Sequence, residues 1–233
     1  MKKFNLKRKL LALGTSTLIL GGALAGCGSG GNAANNTATE SGEKEITVAI
    51  YRDGEMDLLD AASYKGPHVI YKMLYEGFTE DGGKDGITPL LATSWDVSED
   101  QKTYTFHLRK GVKFTDGTDF NAQAVEFNLK RWVNNDRHSS LTSYKVDDIK
   151  VVDDYTIQVT FNSNAYPILT EMSYPRPVRF LSPDSIKDNG EVMGEFSSPV
   201  GTGQWILESY TKDEEFVLKA NPDYWGEKPK LER

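Results

Sequence analysis

The sequence LATSWDVSEDQKTYTFHLRKGVKFTDG, residues 91–117, carries the clearest strand-and-turn pattern of the chain. Within it, apolar and polar side chains alternate over 103–108, which predicts a half-buried β-strand. Gly111 predicts a turn after that strand, and 112–114 are expected to form the return strand. A second turn is indicated by the Asp-Gly pair at 116–117. The segment therefore predicts sheet structure at the centre of the chain.

The flanking sequence predicts a mixed sheet with helices and contains no obvious repeat. Strand patterns occur at 45–50, at 149–161 as a hairpin, and at 216–218. Helical spacing of apolar residues occurs at 67–75, 121–133 and 167–172. Asn121 is placed to cap the second of these helices. Residues 79–88, which are rich in glycine and charge, are expected to form a loop.

The first 26 residues have the order of an export signal. Lysines and an arginine come first, an apolar stretch follows, and small residues end it. The alternative is a membrane-spanning helix, which needs about 20 apolar residues. Because this apolar stretch is shorter and is interrupted by glycines, we expect residues 1–26 to be a cleaved signal peptide.

Cys27 is the only cysteine in the chain, so it cannot form an internal disulfide. Together with Leu24-Ala25-Gly26 it resembles the lipobox of bacterial lipoproteins. That resemblance implies a lipid on the Cys27 thiol, no other covalently bound group, and a position on the outer face of the cytoplasmic membrane. Residues 27–43 are small and polar and predict a flexible tether, with the folded domain at 44–233.

Charge and motifs exclude several classes of function. The formal net charge is −7, and loss of the basic signal would make the exported chain more acidic still. Such a surface argues against nucleic-acid partners. The chain has no phosphate loop, no nucleophile elbow and no clustered metal ligands, since its three histidines lie far apart. We therefore expect no enzymatic activity.

Residues 91–117 resemble the hallmark segment of family 5 extracellular solute-binding proteins, the peptide- and nickel-binding proteins of ABC importers. Segments 73–77, 201–203 and 221–226 also match, with Gln204 where the family usually has proline. The resemblance implies an α/β, periplasmic-binding-protein-like type II fold of two lobes. Because the chain stops soon after the last of these motifs, we expect the first lobe with its small hairpin-rich subdomain, and no second lobe.

Within that family, three segments resemble the nickel-binding branch; they are 174–180, 137–138 and 225–229. The resemblance implies that the ligand is nickel held by a small organic chelator. It also implies that Arg176 clamps a chelator carboxylate and that Arg137 lines the same cavity. A guanidinium can grip a carboxylate through two charge-assisted hydrogen bonds. Ser140 stands where that branch has an aromatic residue.

Other interpretations of these residues stay open. Arg176 could pair with a surface carboxylate instead, and Arg179 is expected to form a structural ion pair. His68 begins the predicted helix at 67–75, in a stretch that lines the cleft in relatives. Its imidazole would suit nickel, so His68 is a candidate metal or chelator contact, although it could equally be an exposed helix-start residue.

The leading hypothesis is a monomeric binding protein that captures a nickel chelate outside the cell. It would deliver the chelate to the permease and ATPase subunits of an ABC importer. The alternative is a peptide- or oligopeptide-binding protein of the same family. A hydrolase would need a catalytic motif beyond residue 233. For residues 27–233 alone we expect little or no ligand affinity.

Overall fold

The computed structural model describes seven ranges of the chain; they are 44–50, 59–63, 65–135, 144–176, 178–188, 191–212 and 214–233. The predicted signal, Cys27, the whole tether at 27–43 and Arg137 lie outside the described residues. The described residues belong to one unit, Gly42–Arg233. None of their helices has the length and apolar character needed to cross a bilayer.

Strands and short helices alternate along this unit. The strands are β1 (Thr79–Asp81), β2 (Ile87–Pro89), β3 (Ala92–Val97), β4 (Thr103–Leu108), β5 (Val146–Asp153), β6 (Thr156–Phe161), β7 (Trp205–Thr211) and β8 (Glu215–Ala220). The α-helices are α1 (His68–Leu74), α2 (Ala122–Val133) and α3 (Ile168–Ser173).

A four-stranded antiparallel sheet of order β3-β4-β6-β5 lies under α2. Strands β4 and β6 bury every second side chain, as the alternating sequence predicts. Phe106 and Ile157 are paired across these strands and both are fully buried. Leu129 and Trp132 of α2 close the same core. This sheet and helix form the main hydrophobic core of the described chain.

Several predicted elements are confirmed. Asn121 caps α2, because its side-chain oxygen accepts a hydrogen bond from the backbone N–H of Ala124 at 2.9 Å. The hairpin at 149–161 is present as β5 and β6, and the strand at 216–218 lies within β8. The helices at 67–75 and 167–172 are α1 and α3.

Three predicted elements are wrong. Residues 45–50 form no strand in the described chain, and the side chains of Ile46 and Val48 are exposed. Residues 112–114 do not return along β4; they pair with 118–120 across a tight turn, through the Lys113–Asp119 bridge and the hydrogen bond from Phe114 N–H to the Thr118 carbonyl. Residues 79–88 hold the β1–β2 hairpin around a 3₁₀ turn at Gly83–Asp85. Strands of three residues are too short to show alternation in sequence.

Candidate functional site

Two of the predicted site residues lie in direct contact. His68 is the first residue of α1, and Arg176 follows α3. A guanidinium nitrogen, Nη2 of Arg176, contacts Nε2 of the His68 ring. Arginine can only donate hydrogen bonds, so Nε2 accepts and the proton of the neutral ring lies on Nδ1. The two residues are 108 positions apart. The sequence suggested each of them separately as a site residue, and the fold places them in contact.

Burial and the neighbouring Arg176 charge both favour the neutral form of the His68 ring. Partial burial lowers the pKa of the His68 imidazole below its ordinary value of 6.5, and the Arg176 charge lowers it further. A neutral ring has a lone pair on Nε2, which is the form of histidine that binds metals. The site thus presents one fixed positive charge beside one uncharged nitrogen donor.

Two tyrosines hold the loop before His68; Tyr71 lies in α1 and Tyr75 directly follows it. Tyr71 is fully buried, and its hydroxyl donates to the Asp60 carbonyl at 2.8 Å and accepts from Gly66 N–H at 3.2 Å. The Tyr75 hydroxyl donates to the Leu59 carbonyl at 2.7 Å. These bonds fix the entry of the chain into α1 and therefore the place of His68.

The same loop is also tied to α2. Arg131 donates from Nη2 to Asp60 at 2.7 Å, in an ion pair whose side chains are 3% and 17% exposed. Asn135 donates to the Ala62 carbonyl at 2.5 Å. Because α2 is packed on the central sheet, these bonds connect the loop before His68 to the main hydrophobic core.

On the Arg176 side, Arg179 holds the end of α3. Its Nη2 donates to the Ser173 carbonyl at 2.9 Å, and its Nη1 donates to the Val178 carbonyl at 3.1 Å. Among the described residues Arg179 forms no ion pair, contrary to the prediction, and backbone carbonyls accept hydrogen bonds from both of its Nη atoms. Burial lowers the pKa of Arg179 to about 10, and Glu76 partly opposes this shift, so the group is charged at neutral pH.

An antiparallel bridge brings the two sides together. Glu76, just after α1, pairs with Phe180, just after Arg179, and Phe180 N–H bonds to the Glu76 carbonyl at 3.0 Å. This bridge sets the strand-like segment 178–181 alongside the end of α1.

Glu76 is also the centre of a buried polar cluster that sequence reasoning missed. Its carboxylate accepts hydrogen bonds from Thr202 Oγ1 at 2.8 Å, Tyr224 OH at 2.7 Å and Trp225 Nε1 at 2.8 Å. Burial raises the pKa of Glu76, and the three hydrogen bonds partly oppose it. These residues come from three separate sequence motifs, 73–77, 201–203 and 221–226. Each motif contains a polar side chain next to apolar ones, and this pattern could have indicated a shared buried polar cluster.

Glycine permits the close packing around this cluster. Gly203 N–H bonds to the Leu74 carbonyl at 3.1 Å, and a Cβ at Gly203 would lie 2.7 Å from the carbonyl carbon of Leu74. Arg109 completes the arrangement by placing its guanidinium 4.4 Å from the centre of the Trp225 ring, in cation–π contact. The cluster is a structural support behind α1, and it touches neither His68 nor Arg176 in the hydrogen bonds described.

Comparison with known proteins identifies the chain. The model of "Bacterial extracellular solute-binding proteins, family 5 Middle" matches residues 86–233, more than half of the sequence. The chain belongs to family 5 of the bacterial extracellular solute-binding proteins. The predicted family is thereby confirmed, and membership places the chain among binding proteins rather than enzymes.

Relatives of this family 5 protein bind different ligands. The nickel-binding periplasmic protein of Escherichia coli K12 is 39% identical over 163 residues, covering 69% of this chain and 31% of the relative. The dipeptide-binding protein of the same organism is 35% identical over 171 residues, covering 64% of this chain and 32% of the relative. The chain thus spans about a third of the length of these relatives.

Among solved structures, NikA from Brucella suis in complex with Fe(III)-EDTA matches with a TM-score of 0.70 and 34% identity. The match covers 76% of this chain and 36% of that one. The predicted periplasmic-binding-protein fold is confirmed by this likeness. Within the described residues of the family 5 protein there is no cluster of three histidine, cysteine or acidic side chains that could hold a bare metal ion.

Proposed function

We propose that the protein captures a nickel chelate outside the cell and delivers it to an ABC importer. The observation that carries this proposal is the contact between Arg176 and His68, which sets a carboxylate-binding group beside a metal-binding nitrogen. Support also comes from relatives that are named for nickel binding or were solved with a metal chelate.

The chemistry of the pair fits a chelate better than a bare ion. A free Ni²⁺ would meet the positive charge of Arg176 and only one nitrogen ligand. A chelate brings its own donors and carries carboxylates, which a planar guanidinium binds in bidentate fashion. The metal cargo then needs only one or two ligands from the protein.

We infer an exchange of partners when the chelate arrives. Arg176 turns from His68 Nε2 to a chelator carboxylate, which releases the lone pair of Nε2. That nitrogen is then available to the metal, for which imidazole is a good ligand. Arg137, which lies outside the described residues, is proposed as a second cation lining the cavity.

The test is isothermal titration calorimetry of the full-length protein. It is titrated with Ni²⁺ plus L-histidine, with Ni²⁺ alone and with a dipeptide pool. We expect heat from the mixed nickel–histidine solution only. Arg176→Gln should weaken binding about tenfold to a hundredfold, the value of one or two charge-assisted hydrogen bonds. The control is Arg233→Gln, at an arginine paired with Glu208 at 2.9 Å, which should bind normally.

His68→Ala has its own control in His107→Ala. His107 is also partly exposed and bonds to Asp96 at 2.8 Å, but it lies on β4. Loss of nickel–histidine affinity in the first variant and not in the second supports the proposed role of His68. Equal affinities for both variants would remove His68 from the site.

Peptide binding is the second candidate, and the dipeptide-binding relative at 35% identity is the observation that favours it. An arginine can bind the terminal carboxylate of a peptide as well as that of a chelator. Peptides would leave His68 without a metal to bind. Heat from the dipeptide pool and none from nickel–histidine would establish this alternative.

We further propose that residues 1–26 direct export, that lipid on Cys27 anchors the protein to the outer face of the cytoplasmic membrane, and that 27–43 are the tether. The family is described as extracellular, which supports export. Cys27→Ser should release the protein into the soluble exported fraction. Membrane association of that variant equal to wild type would contradict the anchor.

A further inference from the structure

The first described segment of the chain lies side by side with its last residues. The Lys44 carbonyl accepts hydrogen bonds from the N–H groups of Glu232 at 2.7 Å and Arg233 at 3.4 Å. Two residues further on, Ile46 N–H donates to the backbone oxygen of Arg233 at 3.2 Å. Because these bonds place Glu45 opposite Arg233 and advance in the same direction along both segments, the two segments run parallel.

The last residues are also joined to the β7–β8 hairpin. Ala220 N–H at the end of β8 donates to the Glu232 carbonyl at 2.9 Å, and Nε of Arg233 donates to Glu208 of β7 at 2.9 Å. Strand β7 in turn contacts α1. Hydrogen bonds therefore connect the first described segment, through the last two residues, to the hairpin that packs on α1.

Beyond Ile46 the same segment has an open edge. In the ranges that the structure describes, no group forms a hydrogen bond with the backbone of 47–50. Ile46, Val48 and Ile50 are β-branched residues in alternation, as in a strand, yet they are 63%, 64% and 38% exposed. Native proteins pair or cover an apolar edge of this kind. The edge 47–50 is therefore a strand-forming surface whose partner is not among the described residues.

The register of the paired residues shows where a partner would lie and which groups it would meet. A parallel strand that continues from Arg233 runs directly alongside 47–50. Alternate residues of a parallel strand bond to the same neighbour, so the N–H groups of Val48 and Ile50 face this strand. They would donate to the carbonyls of the second and fourth residues after Arg233. The edge reads Ile-Thr-Val-Ala-Ile from residue 46, a nearly continuous apolar run of the kind found in parallel strands that are covered on both faces.

We propose that 47–50 are the docking edge for a parallel β-strand formed by the polypeptide that follows Arg233 in the full-length protein. The curated relatives support such a polypeptide, because the chain spans about a third of their length. The pairing would fix the residues next to the predicted tether at 27–43 to the sheet that contacts α1. It applies to a chelate-binding and to a peptide-binding protein alike, so it stands independently of the proposed ligand.

The direct test is amide hydrogen exchange, resolved by residue, in the full-length protein and in the 233-residue chain. We expect the amides of Val48 and Ile50 to exchange at least about a hundredfold more slowly in the full-length protein. Equally fast exchange of both amides in the two proteins overturns the proposal, as does a cellular product whose mass shows an end at Arg233. Protection in both proteins that is lost on dilution identifies a second copy of the chain as the occupant and likewise overturns it.

Substitution of Val48 tests the side chain. Val48→Asp should lower the melting temperature of the full-length protein by about 3 °C, because the new strand would bury this position. It should leave the 233-residue chain nearly unchanged, since the side chain is 64% exposed there. Val152→Asp is the matched control: Val152 of β5 is 52% exposed, and its replacement should have the same effect in both proteins.

An equal response of the two proteins to Val48→Asp overturns the proposal. Should that variant fail to fold in the full-length protein, amide exchange in the unsubstituted proteins decides.

Discussion

Replacing Glu76 should be among the most damaging single changes in the described chain. Glu76 is 6% exposed and accepts hydrogen bonds from Thr202, Tyr224 and Trp225. Glu76→Ala removes the acceptor from all three donors at once. Glu76→Gln retains one oxygen for Thr202 and Trp225, and its amide can donate to the Tyr224 hydroxyl.

The magnitude follows from the burial of the donors. A hydrogen bond to a charged group contributes about 1.5–3 kcal/mol. Thr202 is fully buried, but Tyr224 and Trp225 are only partly buried, so water can replace some of their lost bonds. We therefore expect Glu76→Ala to lower the free energy of unfolding by about 4 kcal/mol, and Glu76→Gln by about 1 kcal/mol. The first corresponds to a fall in melting temperature of about 10 °C.

The pH dependence of stability distinguishes the effect of the Glu76 charge from the effect of its size and hydrogen-bonding geometry. Burial raises the pKa of Glu76 in the folded state above its ordinary 4.5. A raised pKa means that this group contributes stability below pH 4.5, and that the contribution is lost as pH rises through the raised value. Glutamine does not titrate in this range. The advantage of wild type over Glu76→Gln should therefore shrink as the pH rises from 4 to neutrality.

The assay is urea unfolding, followed by tryptophan fluorescence, at several pH values. Glu80→Ala is the control, because Glu80 is exposed on β1 only four residues away, and it should cost little. The reasoning is refuted if Glu76→Ala is no less stable than Glu76→Gln, or if Glu80→Ala is equally damaging.

Three further predictions concern the cap, the close packing and the site. Asn121→Ala should lower the free energy of unfolding by about 1 kcal/mol in urea, since the Ala124 N–H loses its acceptor. Gly203→Ala should cost about 1–3 kcal/mol in the same assay, because the new methyl overlaps the Leu74 carbonyl; an unchanged midpoint would contradict this packing. Titration of the His68 ring by NMR should give a pKa below 6.5 that rises in Arg176→Gln; no rise would show that the guanidinium does not face the ring.

The regular elements of the fold could be predicted because their periodicity is local. Strand β4 alternates over six residues, and α2 has both a cap at Asn121 and a continuous apolar face. The β1–β2 hairpin could not be predicted, because three-residue strands have too few positions to show alternation. Residues 45–50 have a strand pattern, but pairing decides whether a strand forms, and the pattern does not reveal a partner.

The contact between the two candidate residues could not be predicted from the sequence. Arg176 and His68 were each predicted from motif and chemistry, and the fold places them in contact although they are 108 positions apart. Arg179 was expected to meet a carboxylate, whereas the end of α3 supplied backbone carbonyls. Sequence shows which groups are charged, but the partners of a buried charge depend on contacts between residues that are distant along the chain.

The central claim is that Arg176 and His68 share one chelated metal. The most direct measurement is a crystal structure of the full-length protein crystallised with Ni²⁺ and L-histidine, with data collected at the nickel absorption edge. The account predicts an anomalous nickel peak within coordination distance of His68 Nε2 and a chelator carboxylate on the Arg176 guanidinium. A peptide in that place, or nickel bound away from both residues, would contradict it.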